Sequence, residues 1–512
     1  MKRFSLLSSL FLSIVPCLFI LLVAQEASRI RQEAAVQWRV VPVYAFDRQW
    51  NPAADLADSD IEVYVDRKRV DSFHLVKKEP RLAGVRQNVV EGKNATFVPR
   101  RKLVFLIFDS SLTLGYQMRR AKKIVMAMLA QPDDNSQYIV MTIEPFGGLT
   151  HVIGPDAGRE AVARAIRRVV SGKKSEFLGN KSLGADIRDT GPSRSVFGYD
   201  SPGVLTDRFT SEAKIFDKNE SFDNRRITSA FQSSLEPLTA IFGAFQERGK
   251  VVFLFSSGIP LRVFGQKTEY QIEDNKLENI LPDDFYYKGI QTLASIFKRN
   301  GVLLFLVNPG GTRIKSDDPE SGEKSLRMIA DDSGGRYYSG TEKEITSEVL
   351  LMERAYYEVL FPFNSEVKNP EIDFKIVSKR PDVTVYSVKY LARAKKYSEM
   401  SRMEREVLII DTVRSGDHSR VELKIIPFVL GGAAKAGSLS VFPVRIPAEL
   451  AGSEWDLYRV WTGKTSGDVK MELDRLIPRT TDITVEVKAR KGYRRYALLV
   501  HLGTGTALVG SE

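Results

Sequence analysis

The sequence predicts an α/β fold with a mainly parallel central sheet, flanked on both sides by all-β, sandwich-like structure. Two observations carry this reading. Four continuous apolar runs, Leu103–Phe108, Tyr138–Ile143, Val251–Phe255 and Val302–Val307, alternate with segments of helical spacing. Runs of this kind suit strands covered on both faces, and strand–helix alternation implies parallel crossovers. On either side the pattern changes to short segments of period two, separated by turn residues.

The chain begins with a region of its own kind. Lys2 and Arg3 precede an almost uniformly apolar stretch from Leu6 to Ala24, and charge resumes at Glu26. Residues 1–24 are expected to be a secretory signal peptide, with an uncleaved N-terminal anchor as the alternative because the run is long for a signal. Pro16 before Cys17 fits lipoprotein processing poorly. Cys17 is the sole cysteine of 512 residues. The remainder therefore has no thiol for a disulfide, a thiolate metal site or a nucleophile. The formal charge is +11, but lysine and arginine are spread along the chain and their clusters are short. A dedicated nucleic-acid surface is not expected, and contact with a membrane is expected only through an uncleaved N-terminal segment.

Residues 35–99 form the leading β region. Val36–Phe46 has strand composition, and Ile61, Val63 and Val65 alternate with polar or aromatic positions. The α/β region is expected over 100–355. Its helices are marked by Met118, Ala121, Val125, Met128 and Leu129, then Val162, Ile166 and Val169. Phe231, Leu235, Leu238, Phe242 and Phe245 follow, with Pro237 expected to kink or delay that helix. Further helices are expected at 284–299, around Leu326–Ala330 and at 343–354. Residues 173–224, rich in Ser, Gly, Asp, Asn and Lys, interrupt the rhythm and are expected to be an insertion. Alternation returns at 356–397, a segment that could pair with 35–99 into one β unit. Residues 406–512 are expected to form a C-terminal β-sandwich, with strands at 406–410, 421–429, 438–446, 456–461, 482–488 and 496–501.

The chemistry concentrates after the first buried strand, where Asp109-Ser110-Ser111-Leu112-Thr113 fits D-x-S-x-S/T. In an open parallel sheet, ligands bind beyond the carboxyl ends of the strands. A loop there can aim Asp109, Ser111 and Thr113 at one point. One carboxylate and two hydroxyls are hard oxygen donors suited to Mg²⁺, Mn²⁺ or Ca²⁺.

Five segments in order, WRVVPVYAFDRQWNPAADLADSDIEVYVDRKRVDSF, VFLIFDSSLT, GKVVFLFSSG, IADDSGGRYY and IVSKRPDVTVYSVKYLARAKKY, resemble the von Willebrand factor A (VWA) fold. They are most similar to the acidobacterial-type VWFA-related family. The resemblance spans residues 36 to about 397 and implies a Rossmann-like VWA domain with a metal-ion-dependent adhesion site. It implies that three loops grip the metal: Asp109, Ser111 and Thr113 from the first, Thr228 from the second, and the third-loop position held here by Ser257. The family has an aspartate there. Exchanging a carboxylate for a hydroxyl removes a negative charge from the dication's shell. Three outcomes stay open: weak metal binding, a shell completed by a partner's Asp or Glu, or a metal-free loop in which Asp109 caps the next helix and the hydroxyls satisfy backbone groups.

The function expected is protein or surface-ligand recognition in the cell envelope, periplasmic, outer-surface or secreted. A metal-independent structural component of the envelope is the alternative. An enzyme is not expected. The G-x-S-x-G elbow of a serine hydrolase is absent around Ser256 and Ser257, and His74, His151, His418 and His501 are scattered.

Overall fold

The computed structural model describes residues 37–511 except 54, 79–89, 93–94, 98–100, 132–134, 145–147, 156, 170–232, 247, 260–264, 273–274, 283, 312–321, 364–370, 394, 416–422, 430–438 and 464–468. The N-terminal apolar segment, the 173–224 insertion and Thr228 therefore lie outside the described residues. Among those described, no helix is long and apolar enough to cross a membrane.

The leading region supplies β1 (Gln37–Asp47), β2 (Ile61–Val65), β3 (Lys68–Arg69), β4 (His74–Lys77), β5 (Val90–Gly92) and β6 (Ala95–Phe97). Next come β7 (Lys102–Asp109), α1 (Gly115–Ala130), β8 (Ser136–Glu144), β9 (Gly148–Ile153) and α2 (Arg159–Arg168). The helix α3 (233–244) contains Pro237. Beyond it lie β10 (Lys250–Phe255), a hairpin of β11 (Gly265–Ile272) and β12 (Asn275–Pro282), α4 (Asp284–Arg299) and β13 (Val302–Val307). The α/β region closes with α5 (Glu323–Ser333), β14 (Arg336–Tyr338) and α6 (Glu342–Arg354).

The central sheet has the order β14-β13-β10-β7-β8-β9. All neighbouring strands run parallel except β9, which returns antiparallel beside β8. Each strand of the middle is buried on both faces, which explains its continuous apolar sequence. In β7, Val104, Leu106 and Phe108 enter one core, while Leu103, Phe105 and Ile107 enter the other. Full burial of each such side chain contributes about 1.5–3 kcal/mol.

The flanking β segments interleave. The chain returns in β15 (Tyr356–Phe363), β16 (Glu371–Ser378), β17 (Val383–Ser387) and β18 (Tyr390–Ala392). Strand β1 pairs with both β15 and β17, and β16 pairs with β2. Two four-stranded sheets result, of order β17-β1-β15-β4 and β18-β16-β2-β3. Residues on both sides of the α/β region in sequence thus share one set of sheets. Val41, Val43, Tyr357 and Val359 share a core with α1, α2 and one face of the central sheet.

The expected strand at 406–410 is corrected: Arg402–Ser415 is a helix, α7. The residues from Val407 to Val413 are all buried, because α7 is enclosed in a core shared with α3 and the C-terminal sheet. A helix enclosed all round has no polar stripe, so its Val-Leu-Ile-Ile run looks like a strand. Its first turn approaches α3 where Gly243 stands. A Cβ at that position would collide with Glu404 Oε1.

Beyond α7 lie β19 (Lys424–Val429), β20 (Leu439–Arg445), β21 (Trp455–Thr462), β22 (Val469–Leu476), β23 (Asp482–Lys488), β24 (Arg494–His501) and β25 (Thr506–Ser511). They form a five-stranded sheet, β19-β25-β24-β21-β22, and a β20-β23 pair. Trp455, Leu457, Trp461 and Leu499 face Val444, Val485 and Val487 of that pair. Tyr458, Val460, Leu498 and Val500 on the opposite face join the core around α7.

Candidate functional site

Strand β7 ends in Asp109 because the polar chain turns there, at the carboxyl edge of the sheet. Asp109 is fully buried. Its Oδ1 accepts from the Ser111 backbone N–H at 2.9 Å, the Leu112 N–H at 3.0 Å and the Ser111 hydroxyl at 2.5 Å. Its Oδ2 accepts from the Ser256 hydroxyl at 2.6 Å. All four donors are neutral. Burial pushes the Asp109 carboxyl above the usual range, and the Ser111 and Ser256 hydrogen bonds only partly offset this.

Thr113 is 2% exposed, and its Oγ1 has no hydrogen-bond partner among the described residues. A buried hydroxyl left unpaired costs about 1–3 kcal/mol. The first turn thus holds a carboxylate short of positive charge and a hydroxyl short of a partner.

The register Phe255↔Phe108 brings the turn after β10 beside Asp109. Ser256 Oγ donates to Asp109 and accepts from the Gly258 N–H at 2.9 Å. Ser257 points elsewhere. Its hydroxyl donates to Gln117 Oε1 at 2.7 Å, and that same oxygen accepts from the Leu114 N–H at 2.7 Å. Gly258 sits at φ 77°, and a Cβ there would collide with the carbonyl of Gly322, its bridge partner. The Ile259 N–H donates to Ser325 Oγ at 2.8 Å, so the turn is fixed against the start of α5.

A further loop of the rim follows β13. The Gly310 N–H donates to Asn308 Oδ1 at 2.9 Å, and Asn308 Nδ2 donates to the Tyr337 hydroxyl at 3.1 Å. Gly310 also lies against the Gln117 amide.

Of the expected site residues, Asp109, Ser111 and Thr113 share the first turn. Ser257 joins the same rim through Gln117 rather than by contact with Asp109. Ser256 and Gln117 were not foreseen. Aligning the last apolar residues of the two runs, Phe108 and Phe255, would have placed Ser256 beside Asp109. Gln117 gives no sequence signal beyond its place three residues after Leu114. Among the described residues, no group of three or more His, Cys, Asp or Glu side chains is placed to hold a metal. Cation binding here would rest on Asp109 and hydroxyls. The uncompensated carboxylate and the unpartnered Thr113 hydroxyl fit that donor set.

No family model matches the chain, and no curated protein matches it. Similar solved structures include proximal thread matrix protein 1 from the mussel byssus, with TM-score 0.23 and 13% identity over 50% of this chain and 48% of that one. A second structure of that protein, described with a zinc-occupied MIDAS motif, has TM-score 0.22 and 12% identity over 50% of this chain and 48% of that one. The chain thus spans about half the length of the mussel protein (48%). The conserved hypothetical protein BatB from Bacteroides thetaiotaomicron has TM-score 0.22 and 11% identity, over 49% of this chain and 98% of that one.

Proposed function

We propose that this chain is an exported VWA-type binding module that recognises a protein ligand at the carboxyl edge of its central sheet. A hard divalent cation held by Asp109, Ser111 and Thr113 would anchor that ligand. In this reading residues 1–24 are a signal peptide or anchor. Residues 35–99 and 356–397 form one β unit around the α/β domain at 100–355, and 406–512 follow as a C-terminal β unit whose first residues lie within α7.

The observation that carries the reading is the pairing of deficits in one turn. Asp109 is fully buried with only neutral donors, and Thr113 is buried with no partner. A cation between them would satisfy both. It would supply a Lewis-acidic anchor with open coordination positions for a partner's carboxylate or for water. Ser111 holds the carboxylate in place, and Ser256 locks it to the neighbouring strand. With one carboxylate the site is expected to be weak in the absence of a partner.

One observation favours the metal-independent alternative. The Ser256 and Ser257 hydroxyls already close on Asp109 and Gln117, so the rim could be a purely structural knot. Titration calorimetry with Mn²⁺ and Mg²⁺ separates the two. The cation reading expects heat of binding with wild type, none with Asp109→Ala, and affinity about tenfold weaker with Thr113→Val. Silence with wild type would favour the structural knot. A serine hydrolase would be labelled by a fluorophosphonate probe, and no labelling is expected.

A further inference from the structure

Helix α1 starts at the rim just described, and its outer face has a composition unlike the other described helices. The helix holds four cations and no acidic residue: Arg119, Arg120 and Lys123 on that face, and Lys122 off it, donating to the Arg167 carbonyl of α2 at 3.1 Å. Its buried side is Met118, Ala121, Ile124, Val125, Met128 and Leu129. Residues three and four apart share a helix face, so Tyr116, Arg119, Arg120, Lys123 and Ala127 line the opposite side.

Tyr116 is 49% exposed, a large aromatic side chain turned to solvent beside the site loop. Arg119 is exposed and makes no ion pair or side-chain hydrogen bond among the described residues. Arg120 is partly spent, donating to the Gly340 carbonyl at 2.9 Å. Lys123 stands 3.5 Å from Glu342 of α6, with side-chain exposures of 70% and 36%. That contact shows the face drawing in a carboxylate from the chain itself, in a loose and solvated pair.

We propose that the outer face of α1 is a docking surface for an acidic polypeptide segment carrying an apolar side chain. Arg119 and Lys123 take the carboxylates, and Tyr116 takes the apolar group at the end nearest the rim. An exposed tyrosine beside an exposed arginine, here Tyr116 and Arg119, is a pair enriched at protein interfaces. An acidic segment complements Arg119 and the loosely held Lys123, and an apolar side chain on that segment can pack on the exposed Tyr116 ring beside them. The surface needs no metal, so it is independent of the cation reading.

The test is fluorescence anisotropy on the full chain, in chelator, with a labelled peptide of Glu-Glu-Phe repeats. A labelled oligothymidylate of equal charge and phosphatidylglycerol vesicles serve as competing probes. The expected result is saturable peptide binding that weakens about tenfold or more in Arg119→Glu/Lys123→Glu and about tenfold in Tyr116→Ala. Arg119→Lys/Lys123→Arg should retain binding, and melting temperatures should stay unchanged. Equal peptide binding by wild type and the charge-reversed variant would overturn the proposal. So would binding of the oligonucleotide or vesicles as tight as that of the peptide, or insensitivity to Tyr116→Ala.

Discussion

Two buried carboxylates in this molecule are built in opposite ways. Asp109 at the rim is satisfied by two backbone amides and two serine hydroxyls. Asp456 on β21 is 1% exposed and is met by cations. Arg405 of α7 reaches its Oδ2 at 2.9 Å, and Arg475 stands 3.5 Å from its Oδ1. The Tyr397 hydroxyl donates to Oδ2 at 3.2 Å and shares a 2.8 Å hydrogen bond with the Tyr458 hydroxyl. Burial pushes both tyrosine hydroxyls well above their ordinary range, which keeps them neutral as partners. The contrast teaches where to look for function. A buried charge compensated by resident arginines is a joint, here between α7 and the C-terminal sheet. One compensated only by neutral dipoles has an unmet need for positive charge.

The largest effect expected from this contrast is at the joint. Asp456→Ala leaves the largely covered Arg405 (side chain 15% exposed) without its anion and should cost about 3 kcal/mol in denaturant unfolding. In chelator, Asp109→Asn should cost less than about 1 kcal/mol, because it removes a charge that burial penalises while keeping the shape. Equal losses at the two positions would erase the distinction. Thr113→Val removes an unpaired hydroxyl and keeps the volume. It should stabilise the metal-free chain by about 1 kcal/mol, and a loss of similar size would reveal a hidden partner for Oγ1.

Acid titration sharpens the comparison further. The folded Asp109 carboxyl lies above its ordinary value of 3.8. Its contribution to stability is therefore full below that value and is lost as pH rises through the folded one. Asp109→Asn should abolish this loss in chelator, read as a flatter dependence of the unfolding midpoint on pH. The smallest effect belongs to His501. Its Nδ1 accepts from the Thr504 N–H at 3.1 Å, and burial lowers its pKa below 6.5. Stability from the neutral ring is present above that value and is lost as pH falls through the folded one. His501→Gln should remove that dependence below pH 6.5, measured by the same midpoints.

The central sheet was legible because its strands are buried on both faces and therefore spell their own boundaries. Leu103–Phe108 needed no partner information to be recognised. The interleaving of β1 with β15 and β17 was visible only as a possibility, because pairing between segments about 300 residues apart leaves no local trace. Helix α7 was misread for the same reason that the central strands were read well: enclosure on all sides erases polarity patterns, and at that point a strand and a helix look alike. At the rim, Asp109, Ser111 and Thr113 were legible from spacing. The role of Ser256 depended on register, and that of Gln117 on the direction of one side chain.

The most direct measurement is a crystal of the full chain soaked in Mn²⁺, with anomalous scattering used to find the ion. The account predicts a peak between Asp109, Ser111 and Thr113, at oxygen distances of about 2.0–2.6 Å, that vanishes in Asp109→Ala. A fully soaked crystal with no peak there, and with the Ser256 hydroxyl still on the Asp109 carboxylate, would contradict it.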